Sequence, residues 1–181
     1  MHNKKYKETY RELSHGTDVE SATIIRNNGF KISERSDSWC GPGIYFYDIK
    51  KKAWWAARRK CSEIKKETGK KVEPTVLFAD IIDIETDKIF DLRAYKDLCD
   101  FEEKITPLLG EYSFELSGMN ETEKIIQLRS LFISYYAEKN DKKLIIGNFR
   151  QRPQPMYEHA IEFSNSLDMI CLLYTSDAAD E

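Results

Sequence analysis

Residues 14–46 read SHGTDVESATIIRNNGFKISERSDSWCGPGIYF, and the way this stretch divides decides the fold. Thr9 to Ser14 is expected as a short strand that delivers His15 at its end, in the block Ser14-His15-Gly16-Thr17. Asp18 is a good N-cap for a helix from Val19 to Asn28, whose apolar residues Val19, Ala22, Ile25 and Ile24 fall on one side, and Gly29 stops it. Lys31 to Ser38 is polar and loop-like. Gly41-Pro42-Gly43 is a turn that launches a buried strand from Ile44 to Tyr47. Two strand blocks about thirty residues apart, one carrying an imidazole and the other a phenol, can face each other across one small cleft.

Outward from this stretch, a helix is expected from about Lys51 to Lys66, ended near Gly69, with Ala53, Trp54, Ala56, Ala57 and Cys61 turned inward. The β-branched run Pro74 to Asp83 reads as a central strand, with Lys88 to Leu92 as its neighbour. Tyr95 to Ile105 is expected to be helical and Leu108 to Met119 is ambiguous. Asn120 with Glu123 forms a capping box for a helix to Glu138, striped by Ile125, Leu128, Phe132, Tyr135 and Tyr136. Lys143 to Phe149, Ala160 to Phe163 and Leu167 onward read as further strands. The pattern is α+β in a single domain over residues 1–170, with no internal repeat.

Bulk composition excludes more than it assigns. With 181 residues, 41% hydrophobic and 12% aromatic, the chain is long enough for its own core. No apolar run approaches membrane-spanning length and Met1 to Tyr10 is polar, so neither anchor nor secretory signal is expected and the cytoplasm is the default compartment. Cys40, Cys61, Cys99 and Cys171 are widely spaced without nearby histidine ligands, which points to free thiols and to no metal.

Residues 171–181, CLLYTSDAADE, resemble the translation of a transposon-type sequencing adapter of the kind that contaminates metagenomic reading frames. On that reading the tail is non-native and the protein is truncated near Ile170. Without Asp177, Asp180 and Glu181 the acids fall from 31 to 28 against 28 Lys plus Arg, and the net charge moves from −3 to zero. No overall field then draws the chain to nucleic acid or membrane.

Residues 10–57 resemble the first half of an ADP-ribosyltransferase domain of the diphtheria-toxin and poly(ADP-ribose) polymerase type. That family runs roughly His-Gly-Ser/Thr, a helix ending in Gly-Leu/Phe, Gly-Lys-Gly-Ile-Tyr-Phe, and a helix with Ser/Ala and an aromatic two or three residues on. This chain has His15-Gly16-Thr17, Gly29-Phe30, Gly41 to Phe46 and Ala53-Trp54-Trp55-Ala56 in the same order. The resemblance implies a split β-sheet core with flanking helices and NAD as co-substrate. It implies that His15 bonds the adenosine ribose, the Gly16 backbone pairs with the nicotinamide carboxamide, Thr17 contacts the nicotinamide ribose, Tyr45 stacks on nicotinamide, and Trp55 or Trp54 forms a second wall. It also implies a late-strand carboxylate, for which Glu158, Glu162 and Asp168 are the candidates.

Plainer readings stand beside these. His15 fits a core or capping role, Tyr45 an ordinary sheet position, and Trp54 and Trp55 core packing. Lys50-Lys51-Lys52 with Arg58-Arg59-Lys60 reads first as a solvated face, with contact to diphosphate, nucleic acid or a phosphorylated target as the functional alternative. The expectation is a glycosyltransferase-class enzyme, toxin-like by family analogy, that moves ADP-ribose from NAD to a macromolecule, protein or nucleic acid. The alternatives are an RNA 2'-phosphotransferase, for which His2, His15 and His159 are a sparse set, and a catalytically degenerate domain that binds NAD or ADP-ribose.

Overall fold

Strand, helix and strand follow one another in the first third of the chain, and the local chemistry of each junction explains why. A computed structural model describes residues 6–32, 39–111, 118–148 and 168–172. Strand β1 (Lys7–Asp18) runs into helix α1 (Val19–Asn28), whose N-cap Asp18 accepts the Ser21 amide at 2.9 Å and whose end is Gly29 at φ 77°. After β2 (Ile44–Tyr47), helix α2 (Lys50–Thr68) closes on Gly69 at φ 73°, the left-handed geometry that glycine adopts at least cost. Strand β3 (Pro74–Glu85) leads through a 3-10 turn, Thr86–Lys88, to β4 (Ile89–Asp91), α3 (Tyr95–Glu111), α4 (Glu121–Lys139), β5 (Leu144–Asn148) and β6 (Asp168–Leu172). The class is α+β.

These elements fall into two compact units. The first holds β1, α1, β2, α2 and β3, with β1 paired antiparallel to β3 on one side and to β2 on the other. Its ladder is irregular near Tyr10, where Glu12 takes φ 55° and its displaced amide donates to Asp80 Oδ1 at 2.8 Å. From Leu13↔Ala79 to Asp18↔Pro74 the register is regular, which sets the placement of His15, Gly16 and Thr17. One face of this sheet is covered by α2 through Ala53, Ala57 and Cys61, all buried.

The second unit joins the segment Trp39–Gly43 to β4, α3, α4, β5 and β6. Here β4 pairs parallel with β5, and β5 antiparallel with β6. Phe90, Phe101 and Tyr136 stack with centroids 4.5–5.5 Å apart beside the fully buried Leu144, Ile145 and Ile146. Helix α4 begins with the expected capping box, Asn120 with Glu123. It also holds the segment before β2: Ser134 Oγ donates to the Cys40 carbonyl, and Arg129 donates to the Trp39 carbonyl and lies over the Trp39 ring.

Several expectations are corrected. β1 is longer than Thr9 to Ser14, and His15-Gly16-Thr17 lie inside it because each pairs with a residue of β3. β3 is an edge strand, not a central one, since β1 takes one side of it and no strand takes the other among the described residues. Only its Leu77 is buried, while Phe78 and Ile82 are exposed. β4 is not its neighbour, because the 3-10 turn redirects the chain and the buried Ile89 and Phe90 pair with β5. α1 buries only Ala22, leaving Val19 and Ile24 exposed. α3 continues beyond Ile105 through Pro107 to Glu111. The stripe of α4 turns on Phe132, Ile133, Tyr136 and Ala137, with Tyr135 exposed.

Candidate functional site

β1 exposes chemistry along the edge that faces β2. Val19 N–H donates to the Glu73 carbonyl at 3.0 Å, and in an antiparallel ladder the residues bonded to a given neighbour alternate. Thr17 and His15 therefore direct their backbone groups to β3. Ser14 and Gly16 direct theirs to the opposite edge. There β2 pairs with β1 at Ser14↔Tyr47, reinforced by Ser14 Oγ donating to the Tyr47 carbonyl at 3.1 Å. The same alternation turns the N–H and C=O of Gly16 toward this β1–β2 edge.

His15 stands beside this edge, half-buried. Its Nδ1 lies 2.8 Å from the Tyr45 carbonyl oxygen, which can only accept, so Nδ1 carries the proton and Nε2 of the neutral ring is left as an acceptor. Nε2 has no partner among the described residues. The ring sits edge-on against Phe30 at 5.1 Å and Phe46 at 5.9 Å, and those two rings meet at 5.2 Å. Burial lowers the imidazole pKa, the Tyr45 carbonyl opposes that shift, and the Lys60 charge adds to it. The ring is thus neutral near pH 7 and fixed in one tautomer.

His15 and Tyr45 meet, but through the main chain of Tyr45. Ser14 and Tyr47 are cross-strand partners and share a face, so by the period of two Gly16 and Tyr45 belong to that face and His15 with Phe46 to the other. The Gly16 face is the one that α2 covers. A Cβ built on Gly16 would lie 1.9 Å from the Ala53 carbonyl oxygen and 2.8 Å from the Ala57 nitrogen, so no larger residue fits between strand and helix.

The remaining expected residues are placed elsewhere. Thr17 is buried, and its hydroxyl accepts from Lys60 Nζ at 2.8 Å. Trp55 is two residues on from the inward Ala53, roughly 200° around the helix, so it points away from β1 with the Arg59 guanidinium 5.8 Å from its ring. Asp168 opens β6, opposite Asn148 in the second unit. Glu162 and Glu158 lie outside the described residues. Among the described residues no three His, Cys, Asp or Glu side chains converge as a metal site would require, and no helix is long and apolar enough to cross a membrane.

One cluster was not read from the sequence. Lys60, expected on a solvated face with Arg58 and Arg59, donates to Thr17 at 2.8 Å and Ser21 at 3.0 Å and forms an ion pair with Asp18 Oδ2 at 2.9 Å. Burial pushes the Asp18 carboxyl up, but the Ser21 hydroxyl and amide and the Lys60 ammonium outweigh it and hold the group well below the usual carboxylate range. The signal was positional: residue 60 lies between Ala57 and Cys61 on the inward stripe of α2. Cys40, Cys61 and Cys99 are free thiols.

Comparison with known proteins returns no match: no family model fits the chain, and no curated protein or solved structure matches it.

Proposed function

We propose that the chain binds NAD at the β1–β2 edge and transfers ADP-ribose from it to a macromolecular acceptor, releasing nicotinamide. The observation that carries this reading is the Gly16 edge. A primary carboxamide offers one acceptor and a pair of donors, the complement of a strand residue whose N–H and C=O point outward together. Tyr45 stands across from Gly16 on β2, and stacking of nicotinamide on its ring would contribute about 0.5–1.5 kcal/mol beyond burial. The Nε2 acceptor of His15 suits a ribose hydroxyl.

The chemistry then breaks the bond between nicotinamide and ribose, with nicotinamide leaving as a neutral amide and the acceptor nucleophile adding to the same carbon. The oxocarbenium-like state between them needs a nearby negative charge. The resemblance calls for a late-strand carboxylate to supply that charge, with Glu158, Glu162 and Asp168 as the candidates. Thr17 and Trp55 have no part in the proposed site, the first being engaged with Lys60 and the second facing outward.

Calorimetric titration with NAD, followed by chromatographic assay of free nicotinamide, tests the reading. His15→Ala should weaken NAD binding by about tenfold, the value of one hydrogen bond of roughly 1.4 kcal/mol. Because the imidazole pKa is lowered from 6.5, the affinity should be flat above that pH and weaken only as pH falls below it, when protonation removes the Nε2 acceptor. Absence of NAD binding, or binding indifferent to His15, would sink the proposal. Binding without nicotinamide release would reduce it to a binding domain.

A further inference from the structure

Helix α2 carries a surface that the NAD reading does not use. Lys50–Thr68 contains eight cations, Lys50, Lys51, Lys52, Arg58, Arg59, Lys60, Lys65 and Lys66, against Glu63 and Glu67, a net of +6 in a chain whose formal charge is −3. The cations are not evenly spread. Ala53, Ala57 and Cys61 define the buried side, and at about 100° per residue Lys51, Arg59 and Lys66 fall opposite it around Trp55, with Arg58 and Lys65 on the adjoining flank. All five are exposed. Ser62 shares that sector, and Glu63 borders it on the Arg59 side.

Trp55 is the one apolar side chain on this face. Trp55 is 37% exposed on the side away from the buried stripe, with Arg59 over the ring at 5.8 Å and Arg59 itself held by Glu63 at 2.9 Å. Core packing does not account for an aromatic ring placed there. The row from Lys51 to Lys66 extends over about 22 Å at 1.5 Å per residue, too long for one phosphate group and suited to a chain of them. An interfacial helix would need an apolar stripe on this side, and a single indole ringed by cations is not one.

We propose that the outward face of α2 binds single-stranded nucleic acid, with Trp55 stacking on an unpaired base and Lys51, Arg58, Lys65 and Lys66 following the phosphates. This arrangement joins the two elements of strand-binding surfaces, a cationic track and a stacking platform, on one rigid element. The proposal is independent of NAD binding. It also supplies the kind of macromolecule the chain would meet.

Fluorescence anisotropy with labelled single-stranded DNA and RNA oligonucleotides of the same sequence tests it, with the matching duplex and phosphatidylserine vesicles as competitors. Binding should weaken with salt, and Trp55→Ala should lower affinity by about 5- to 150-fold while Trp55→Phe keeps most of it. A Lys65→Glu, Lys66→Glu double variant should weaken binding and flatten its salt dependence, whereas His15→Ala should leave it unchanged. A stronger response to DNA or to RNA identifies which strand is bound. No binding, binding indifferent to Trp55, equal competition by duplex, or displacement by the vesicles would each overturn the proposal. Trp55 lies on the surface, and thermal melts of both Trp55 variants should coincide with the parent.

Discussion

At Gly16 the missing side chain is what lets strand and helix meet. Any Cβ there would sit 1.9 Å from the backbone oxygen of Ala53, and helix backbone cannot swing aside as the tip of a flexible side chain can. Gly16→Ala should therefore destabilise the fold by about 1–3 kcal/mol, read as a fall in the urea midpoint. A variant with the parental midpoint would show that α2 does not approach β1 so closely. His15-Gly16-Thr17 was recognisable as a block from its residue types. What each member does was not. The glycine answers to a helix far along the chain, the histidine to the Tyr45 carbonyl and the threonine to Lys60, and none of these partners is a sequence neighbour.

Among the elements, α1 was legible from cap to stop because Asp18, Ser21 and Gly29 act within their own turn. Its orientation was not, since a mildly apolar helix offers several sides and only Ala22 is buried. Asp18 does two jobs, capping α1 and pairing with Lys60 of α2, and the second ties the helices to one strand end. Its carboxyl titrates below the ordinary 3.8, so the native state binds fewer protons than the unfolded chain and gains stability from this group above that pH. That stability is lost as pH falls from 3.8 through the lower native value. Urea titrations across this acid range should show it in the parent and a flatter profile in Asp18→Asn, which keeps the cap oxygen but not the charge. Parallel profiles for the two proteins would remove Asp18 from the account.

Across the whole molecule, two cores form around different chemistry: small residues between strand and helix in the first unit, stacked rings over β5 in the second. Phe90 is fully buried, with Tyr136 at 4.5 Å and Phe101 at 5.5 Å, so Phe90→Ala should cost about 3–5 kcal/mol and lower the thermal midpoint. A loss below about 1 kcal/mol would mean that the ring cluster is not the centre of that unit. The amino-acid sequence by itself determined the α+β class, the caps and glycine stops, the buried strand at Ile44 to Tyr47 and the capping box of α4. These rest on interactions within a turn or on a short period, and few residues suffice to specify them. Only the tertiary structure decided that β3 lies at an edge, that β4 pairs with β5, that Lys60 turns inward while Trp55 turns out, and that His15 meets the main chain of Tyr45. A period of two or 3.6 marks a side chain's face without saying which face will be covered. The cover comes from segments distant in the chain.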